Sequence, residues 1–150
     1  MSRMQNRSTS PPDAREIALR ALRARDVSIA ELRRRLVERG CAEDDASSTI
    51  DALVRTGLID DARLAERRAS ALADRGAGDA LIRHRLREHG IDAELIERAI
   101  GGLEPEPERA SRIAERRGPG PRTARYLAGK GYSEDTIRDV VAMGRTGELG

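Results

Sequence analysis

The stretch that decides the fold reads SIAELRRRLVERGCAEDDASSTIDALVRTG and covers residues 28–57. Its pattern of apolar residues and glycine recurs after a shift of fifty residues and again after a further forty-one. The matched sets are Leu32 with Ile82, Leu36 with Leu86 and Leu127, Gly40 with Gly90 and Gly131, Ile50 with Ile100 and Val141, Leu53 with Leu103, and Ile96 with Ile137. A period of this length is typical of helical repeat arrays, in which each unit buries its apolar face against a neighbour.

Local signals predict three short helices in each repeat, so the predicted fold class is all-α. Asp13 with Glu16, and Ser28 with Glu31, have the spacing of a helix N-cap and its reciprocal partner. Gly40 then supplies a left-handed helix stop. We predict three tandem three-helix repeats over residues 13–57, 58–104 and 105–144, between flexible tails at residues 1–12 and 145–150.

The connections between helices carry a second set of signals. Either Asp60 or Asp61 can cap the helix that follows them. Asp92 and Ser133 are predicted caps ahead of the third helices of repeats 2 and 3. Two glycines and two prolines within residues 101–107 predict a hinge between those two repeats.

Composition favours several thin apolar interfaces over one large core, because 38% of the chain is hydrophobic, 36% is charged, and Phe and Trp are absent. The regular apolar spacing argues against a disordered polyampholyte. A single cysteine, Cys41, excludes an intramolecular disulfide and a multi-cysteine zinc site, and its repeat position favours a small buried hydrophobe. No apolar run is long enough to cross a bilayer and no signal peptide is recognisable, so we expect a cytoplasmic protein.

Charge alternates along the repeats. Of 28 basic residues only Lys130 is lysine, which leaves 28 − 1 = 27 arginines, a bias that suits phosphate or carboxylate recognition but also fits a GC-rich genome. Residues 30–40, 62–91 and 109–130 carry net charges of +2, +3 and +6, whereas residues 41–61 and 92–108 each carry −5. First and second helices are therefore basic and third helices acidic, which predicts a basic ribbon and an acidic ribbon in the array.

Arginines on the second helices are the candidate binding residues. Taking the apolar stripe as inward, Arg34 points outward between Arg33 and Arg35, and its repeat equivalents are His84 and Arg125. The candidates for binding a protein partner or DNA are Arg33, Arg34, Arg35, Arg83, Arg85, Arg122, Arg125 and Lys130. A merely solvated face stays open for the outward residues, and for Lys130 a cation that complements a helix C-terminus is an equally good interpretation.

Catalytic and metal chemistry find no support in the sequence. His84 and His89 are five residues apart, which is the wrong helical spacing for joint metal ligation. No phosphate-cradling loop and no Ser/His/Asp or Cys/His set is present. We therefore predict a protein that is not an enzyme and needs no cofactor or metal.

Four segments together resemble the RecX family of bacterial recombinase regulators. They are SIAELRRRLVERG at 28–40, GLIDDARLAERRA at 57–69, RGAGDALIRHRLREHGI at 75–91 and RYLAGKGYSEDTI at 125–137. One departure is Leu64, where the family usually has an aromatic residue. The resemblance implies an elongated, curved array of three repeats that binds the RecA nucleoprotein filament in its groove. It also implies inhibition of ATP hydrolysis, strand exchange and coprotease activity, with the basic second helices of repeats 2 and 3 as the candidate contact surface.

Three functions follow as hypotheses. The leading one is a monomeric modulator of RecA in DNA repair and the SOS response, which contacts RecA and non-specifically single- or double-stranded DNA. The alternative is a DNA-binding protein of helix-turn-helix-like units that acts without RecA, although its outward residues lack the Asn and Gln used for base reading. A scaffold that binds an unrelated partner through the acidic ribbon is the third.

Overall fold

The part of the chain that the structure describes is built entirely from α-helices. The computed structural model describes the backbone of residues 11–149 and the side chains of residues 11–142, so most of the predicted N-terminal tail and residue 150 lie outside the described residues. Within them the helices are α1 (Ala14–Ala24), α2 (Ile29–Glu38), α3 (Glu43–Arg55), α4 (Asp61–Asp74), α5 (Asp79–Glu88), α6 (Ala93–Gly101), α7 (Glu106–Arg117), α8 (Pro121–Gly129) and α9 (Glu134–Leu149). Three helices per repeat, in tandem, confirm the predicted fold class.

Most of the predicted N-caps are present. The Asp13 carboxylate accepts a hydrogen bond from the Glu16 amide at 3.2 Å. Ser28 and Glu31 form the reciprocal capping box, with distances of 3.1 and 3.0 Å. These bonds satisfy amides that a helix leaves without an internal partner, which explains why the helices begin there.

Asp92 is the exception among the predicted caps. It stands at the N-cap position of α6 as predicted, but its side chain makes no capping hydrogen bond. Ser133 does cap α9, because its Oγ accepts a hydrogen bond from the Thr136 amide at 3.1 Å. The α9 backbone continues to Leu149, past the predicted repeat boundary at residue 144, and no proline between those positions interrupts it.

The first compact unit of the chain, Met1–Leu64, contains repeat 1. Helices α1, α2 and α3 pack on one another around fully buried Ala18, Leu32 and Leu36. Cys41 is buried in the same core, which confirms its predicted role as a small hydrophobe.

The two aspartates that follow repeat 1 have separate tasks. Asp60 accepts a hydrogen bond from the Arg63 amide at 3.1 Å and so caps α4. Asp61 accepts one from the Ile29 amide at 2.9 Å and so satisfies an amide at the start of α2. Capping by either aspartate was predicted, and the structure uses both, at different helices.

The second compact unit, Ala65–Gly150, contains repeats 2 and 3 together. Helix α5 packs on α6, with Ile82, Leu86 and Ile96 buried, and α7, α8 and α9 pack around Ala110 and Leu127. The segment that the sequence indicated as a hinge, residues 101–107, therefore lies inside one compact unit.

Backbone contact joins repeat 2 to repeat 3 within this unit. The Gly78 amide donates to the Lys130 carbonyl at 2.7 Å, and the Ala80 amide donates to the Gly131 carbonyl at 3.3 Å. Helix α5 has no side-chain cap, so the carbonyls at the C-terminal end of α8 cap it instead. The approach is so close that a Cβ atom on Gly78 would lie 2.6 Å from the backbone of Gly131.

Candidate binding surface

The second helix of each repeat presents an exposed basic position. The repeat-equivalent residues Arg34, His84 and Arg125, on α2, α5 and α8, are all exposed. Among the described residues Arg34 and Arg125 have no ion pair. The Nε2 atom of His84 lies 2.6 Å from a carboxylate oxygen of Glu88. The three side chains therefore point outward as predicted, and Arg34 and Arg125 are exposed cations without an ion pair among the described residues.

Arg33 and Arg83 point toward the third helix of their own repeats. Arg33 donates to Ser47 Oγ at 2.9 Å. Arg83 makes a two-pronged ion pair with Glu97, at 2.7 and 2.9 Å. This contact raises the pKa of Arg83 and lowers that of Glu97, in both cases chiefly through the side-chain hydrogen bond. The second and third helices of repeats 1 and 2 are thus linked at the same repeat position, fifty residues apart.

The remaining candidates in α2, α5 and the start of α8 are exposed. Arg35 and Arg122 make no ion pair among the described residues, and Arg85 has only a 3.9 Å contact with Glu88. Arg122 is in the first turn of α8, which contains no acidic residue. A cation there opposes the helix dipole at a cost of about 0.3–1 kcal/mol, so helix stability does not account for it.

Lys130 has contacts of its own at the end of α8. Its Nζ donates to the Arg75 carbonyl at 3.5 Å and lies 5.8 Å from the centre of the Tyr126 ring. Arg117 stacks on the same ring at 3.8 Å. Through the Arg75 carbonyl, the Lys130 charge lies at the C-terminal end of α4 and not of its own helix, so these contacts support a structural role for Lys130 at a helix C-terminus.

The acidic residues of the third helices are concentrated in their first turns. They are Glu43, Asp44 and Asp45 in α3, Glu94 in α6, and Glu134 and Asp135 in α9. Carboxylates at these positions complement the positive end of the helix dipole. Helix stability is therefore a sufficient reason for these six carboxylates, but not for Asp51 in α3 or Glu97 in α6, which lie beyond the first turn.

The described residues contain neither a metal-binding cluster nor a membrane-spanning helix. Among them no group of three or more His, Cys, Asp or Glu side chains is placed to hold a metal ion. No helix in that part of the chain is long and apolar enough to cross a membrane.

Comparison with known proteins identifies the family. Models of the first and second three-helix domains of RecX match residues 14–53 and 60–100. "Regulatory protein RecX" of Chromohalobacter salexigens is 36% identical over 90% of this chain and 95% of its own length, and that of Trichlorobacter lovleyi is 32% identical over 89% and 96%. The chain belongs to the RecX family.

A solved structure agrees on the fold. The crystal structure of RecX from Lactobacillus salivarius aligns with a TM-score of 0.76, at 22% identity, over 89% of this chain and 95% of that one. Within this RecX-family chain, the candidates of repeats 1 and 2 lie in the ranges that the family models match. Arg122, Arg125 and Lys130 lie beyond both ranges.

Sequence reasoning missed Arg109, a buried arginine of repeat 3 that binds acceptors in repeat 2. Arg109 is 8% exposed and donates to the carbonyls of Glu104 and Ala77 at 2.8 and 3.2 Å. Its Nη2 also pairs with Asp79 at 2.8 Å. Arginine is rarely buried without such a set of acceptors. Thirty residues separate Arg109 from Asp79, so no local sequence signal announces the pair.

Proposed function

We propose that this RecX-family protein binds the RecA nucleoprotein filament and inhibits its ATPase, strand-exchange and coprotease activities. It would thereby modulate DNA repair and the SOS response. The observation that carries the proposal is family membership together with exposed, unpaired arginines on the second helices. Among the predicted candidates, Arg34 and Arg35 in repeat 1, and Arg122 and Arg125 in repeat 3, make neither an ion pair nor a side-chain hydrogen bond with the described residues.

Arginine is suited to this task for a physical reason. Its planar guanidinium donates two parallel hydrogen bonds to a carboxylate or a phosphate and is less strongly hydrated than an ammonium. A filament of protein on DNA offers both kinds of acceptor. The protein would act stoichiometrically as a monomer in the cytoplasm, as a non-enzymatic inhibitor without a cofactor.

The direct test measures the DNA-dependent ATPase of RecA with increasing amounts of this protein. We expect inhibition at stoichiometric levels by the wild type. The double variants R34E/R35E and R122E/R125E should each need at least about tenfold more protein for half-inhibition, because reversed charges repel an anionic partner. No inhibition by the wild type would overturn the proposed function.

A matched control separates specific contact from net charge. R15E/R23E changes the charge by the same amount on exposed positions of α1, where neither arginine has an ion pair among the described residues. We expect this variant to inhibit RecA like the wild type. Equal loss in all three double variants would mean that overall charge, and not the second helices, determines binding.

DNA binding without RecA is the second candidate function, and the exposed Arg122 and Arg125 favour it because both are free to contact phosphate. A primary DNA binder would hold duplex DNA on its own, with an affinity that falls steeply as salt rises. A titration of fluorescent duplex DNA at two salt concentrations distinguishes the candidates. Tight, salt-sensitive binding together with unimpaired RecA ATPase would favour this second function.

A further inference from the structure

An apolar groove lies between α8 and α9 in repeat 3. Its volume is about 490 Å³. The floor consists of Ala124, Ala128, Ile137, Val141 and Ala142, and the rim consists of Arg125, Glu134 and Arg138. We refer to these residues together as the repeat 3 groove.

The same place is covered in the other repeats. A shift of forty-one residues matches Ala124 with Arg83 and Arg138 with Glu97, the pair that links α5 to α6. Repeat 1 has the Arg33–Ser47 hydrogen bond there. In repeat 3 an alanine replaces the long arginine stem, and no link of this kind forms between Ala124 and Arg138.

The missing link leaves apolar side chains accessible. Ile96 and Ile100 in repeat 2 are 1% and 9% exposed. Their equivalents in repeat 3, Ile137 and Val141, are only half-buried. An accessible apolar groove rimmed by charged residues indicates a surface that is covered by a partner.

Charge and shape determine which partner fits. The rim contains two arginines and one glutamate. Arg125 has no ion pair among the described residues. Arg138 is exposed and has only a 3.7 Å contact with the exposed carboxylate of Asp135. The floor spans one helical turn on each helix, from residue 124 to 128 and from 137 to 141. This spacing matches two aliphatic side chains four residues apart on a partner helix, flanked by carboxylates for the arginines.

We propose that the repeat 3 groove docks an acidic, amphipathic helical segment of the RecA protein, which inserts aliphatic anchors between α8 and α9 and pairs its carboxylates with Arg125 and Arg138. This inference rests on the proposed function and assigns its protein contact. DNA is a poor occupant because the alanine, isoleucine and valine side chains of the floor offer no hydrogen-bond donors to phosphate.

A second copy of this chain fits less well. The acidic third helices turn most of their apolar residues inward, with Ile50 and Ile96 only 2% and 1% exposed. Val54 of α3 is 44% exposed, but Ile50, one helical turn before it, is buried and cannot serve as a second anchor. Leu58, 59% exposed and close to Asp60, lies in a turn, and Val37, 45% exposed, lies on the basic helix α2, so neither of these apolar side chains is on an acidic helix. Self-association is therefore an outcome to be distinguished in the test.

The test closes the groove with the link that repeat 2 already uses. The double variant A124R/R138E places an arginine and a glutamate at the positions of Arg83 and Glu97. This double variant lowers the net charge by one. The control is R116A, which lowers the net charge by the same amount at an exposed arginine of α7 outside the groove. Binding of each protein to RecA filaments on single-stranded DNA, and to that DNA alone, is measured by fluorescence anisotropy, and the oligomeric state by sedimentation.

We expect A124R/R138E to bind the filament at least about tenfold more weakly, because it excludes the aliphatic anchors. R116A should bind like the wild type, and the affinity of A124R/R138E for DNA alone should be unchanged. Helicity and thermal melting verify that the double variant folds; if it does not, A128Q tests the groove with a single exposed substitution.

Four results would overturn the docking proposal. The first is filament binding by A124R/R138E that is as tight as that of the wild type, and the second is an equal loss of its affinity for DNA alone. The third is an equal loss of filament affinity in R116A. The fourth is self-association of the wild type that A124R/R138E does not show. If the wild type and A124R/R138E inhibit RecA equally well, the proposed function stands and only the docking proposal is wrong. A wild type that fails to bind the filament would remove both.

Discussion

At the scale of single residues, Tyr132 is the group with the clearest pH consequence. It is 5% exposed, and among the described residues its hydroxyl makes no well-formed hydrogen bond, although the Arg109 guanidinium interacts with it and opposes the rise in its pKa. Burial raises its pKa above the ordinary value of 10.0. The stabilisation that comes from keeping the phenol neutral is therefore complete below about pH 10 and is lost as the pH rises through the higher folded-state pKa.

Replacing Tyr132 by Phe should remove this alkaline loss. The variant also removes an unsatisfied buried oxygen, so at pH 7 we expect a free energy of unfolding equal to the wild type or higher by up to about 1 kcal/mol. Urea denaturation between pH 7 and 11 measures both effects. Y126F is the control, since Tyr126 is only half-buried and should leave the alkaline loss in place. An unchanged pH dependence in Y132F would contradict the assignment.

Arg83 illustrates how a candidate binding residue can instead serve the fold. R83A should cost no more than about 1 kcal/mol at pH 7, because both partners are partly exposed to solvent. The pKa of Glu97 is lowered by this contact, so the contribution of the pair is present above about pH 4.5 and is lost as the pH falls through the lower folded-state value. Denaturation of wild type and R83A at pH 7 and pH 3 should show the difference shrinking in acid. A difference that stays constant would mean packing of the arginine stem dominates.

At the scale of helices, Gly78 and Gly131 set how α5 and α8 meet. A Cβ atom at Gly78 would lie 2.6 Å from backbone atoms of Gly131 and Tyr132, which cannot move aside as a flexible side chain can. We expect G78A to destabilise the protein by about 2–3 kcal/mol. G129A, on α8 with open space around the added atom, should leave stability unchanged or raise it by up to about 1 kcal/mol. Equal thermal melting temperatures for the two variants would contradict the close contact.

The same helices show which structural features could be predicted from the sequence and which could not. Helix starts such as Ser28 and stops such as Gly40 were predictable, because capping bonds and a left-handed glycine are set by residues a few positions apart. The contact of Gly78 with Gly131 joins residues fifty-three positions apart, so local spacing could indicate only a loop. For the candidate site, helical periodicity correctly gave the outward direction of Arg34 and Arg125. It could not show that Arg33 and Arg83 bind polar groups of the neighbouring helix, since that depends on how the two helices pack.

At the scale of the molecule, a repeat array is as cooperative as the contacts between its repeats. Arg109 supplies such a contact in the unit that contains repeats 2 and 3. It lies in α7 of repeat 3, and its guanidinium donates hydrogen bonds to the Ala77 carbonyl and the Asp79 carboxylate of repeat 2. We expect R109A to lower the free energy of unfolding by about 2–4 kcal/mol, less than for a fully buried pair since Asp79 is partly exposed. Hydrogen exchange should rise most in α7, α8 and α9, which lose one of their links to repeat 2. R112A breaks an exposed ion pair with Glu104 and should cost no more than about 1 kcal/mol. If R109A and R112A have the same small effect, repeats 2 and 3 are held together by their apolar and backbone contacts alone, and the buried arginine does not couple them.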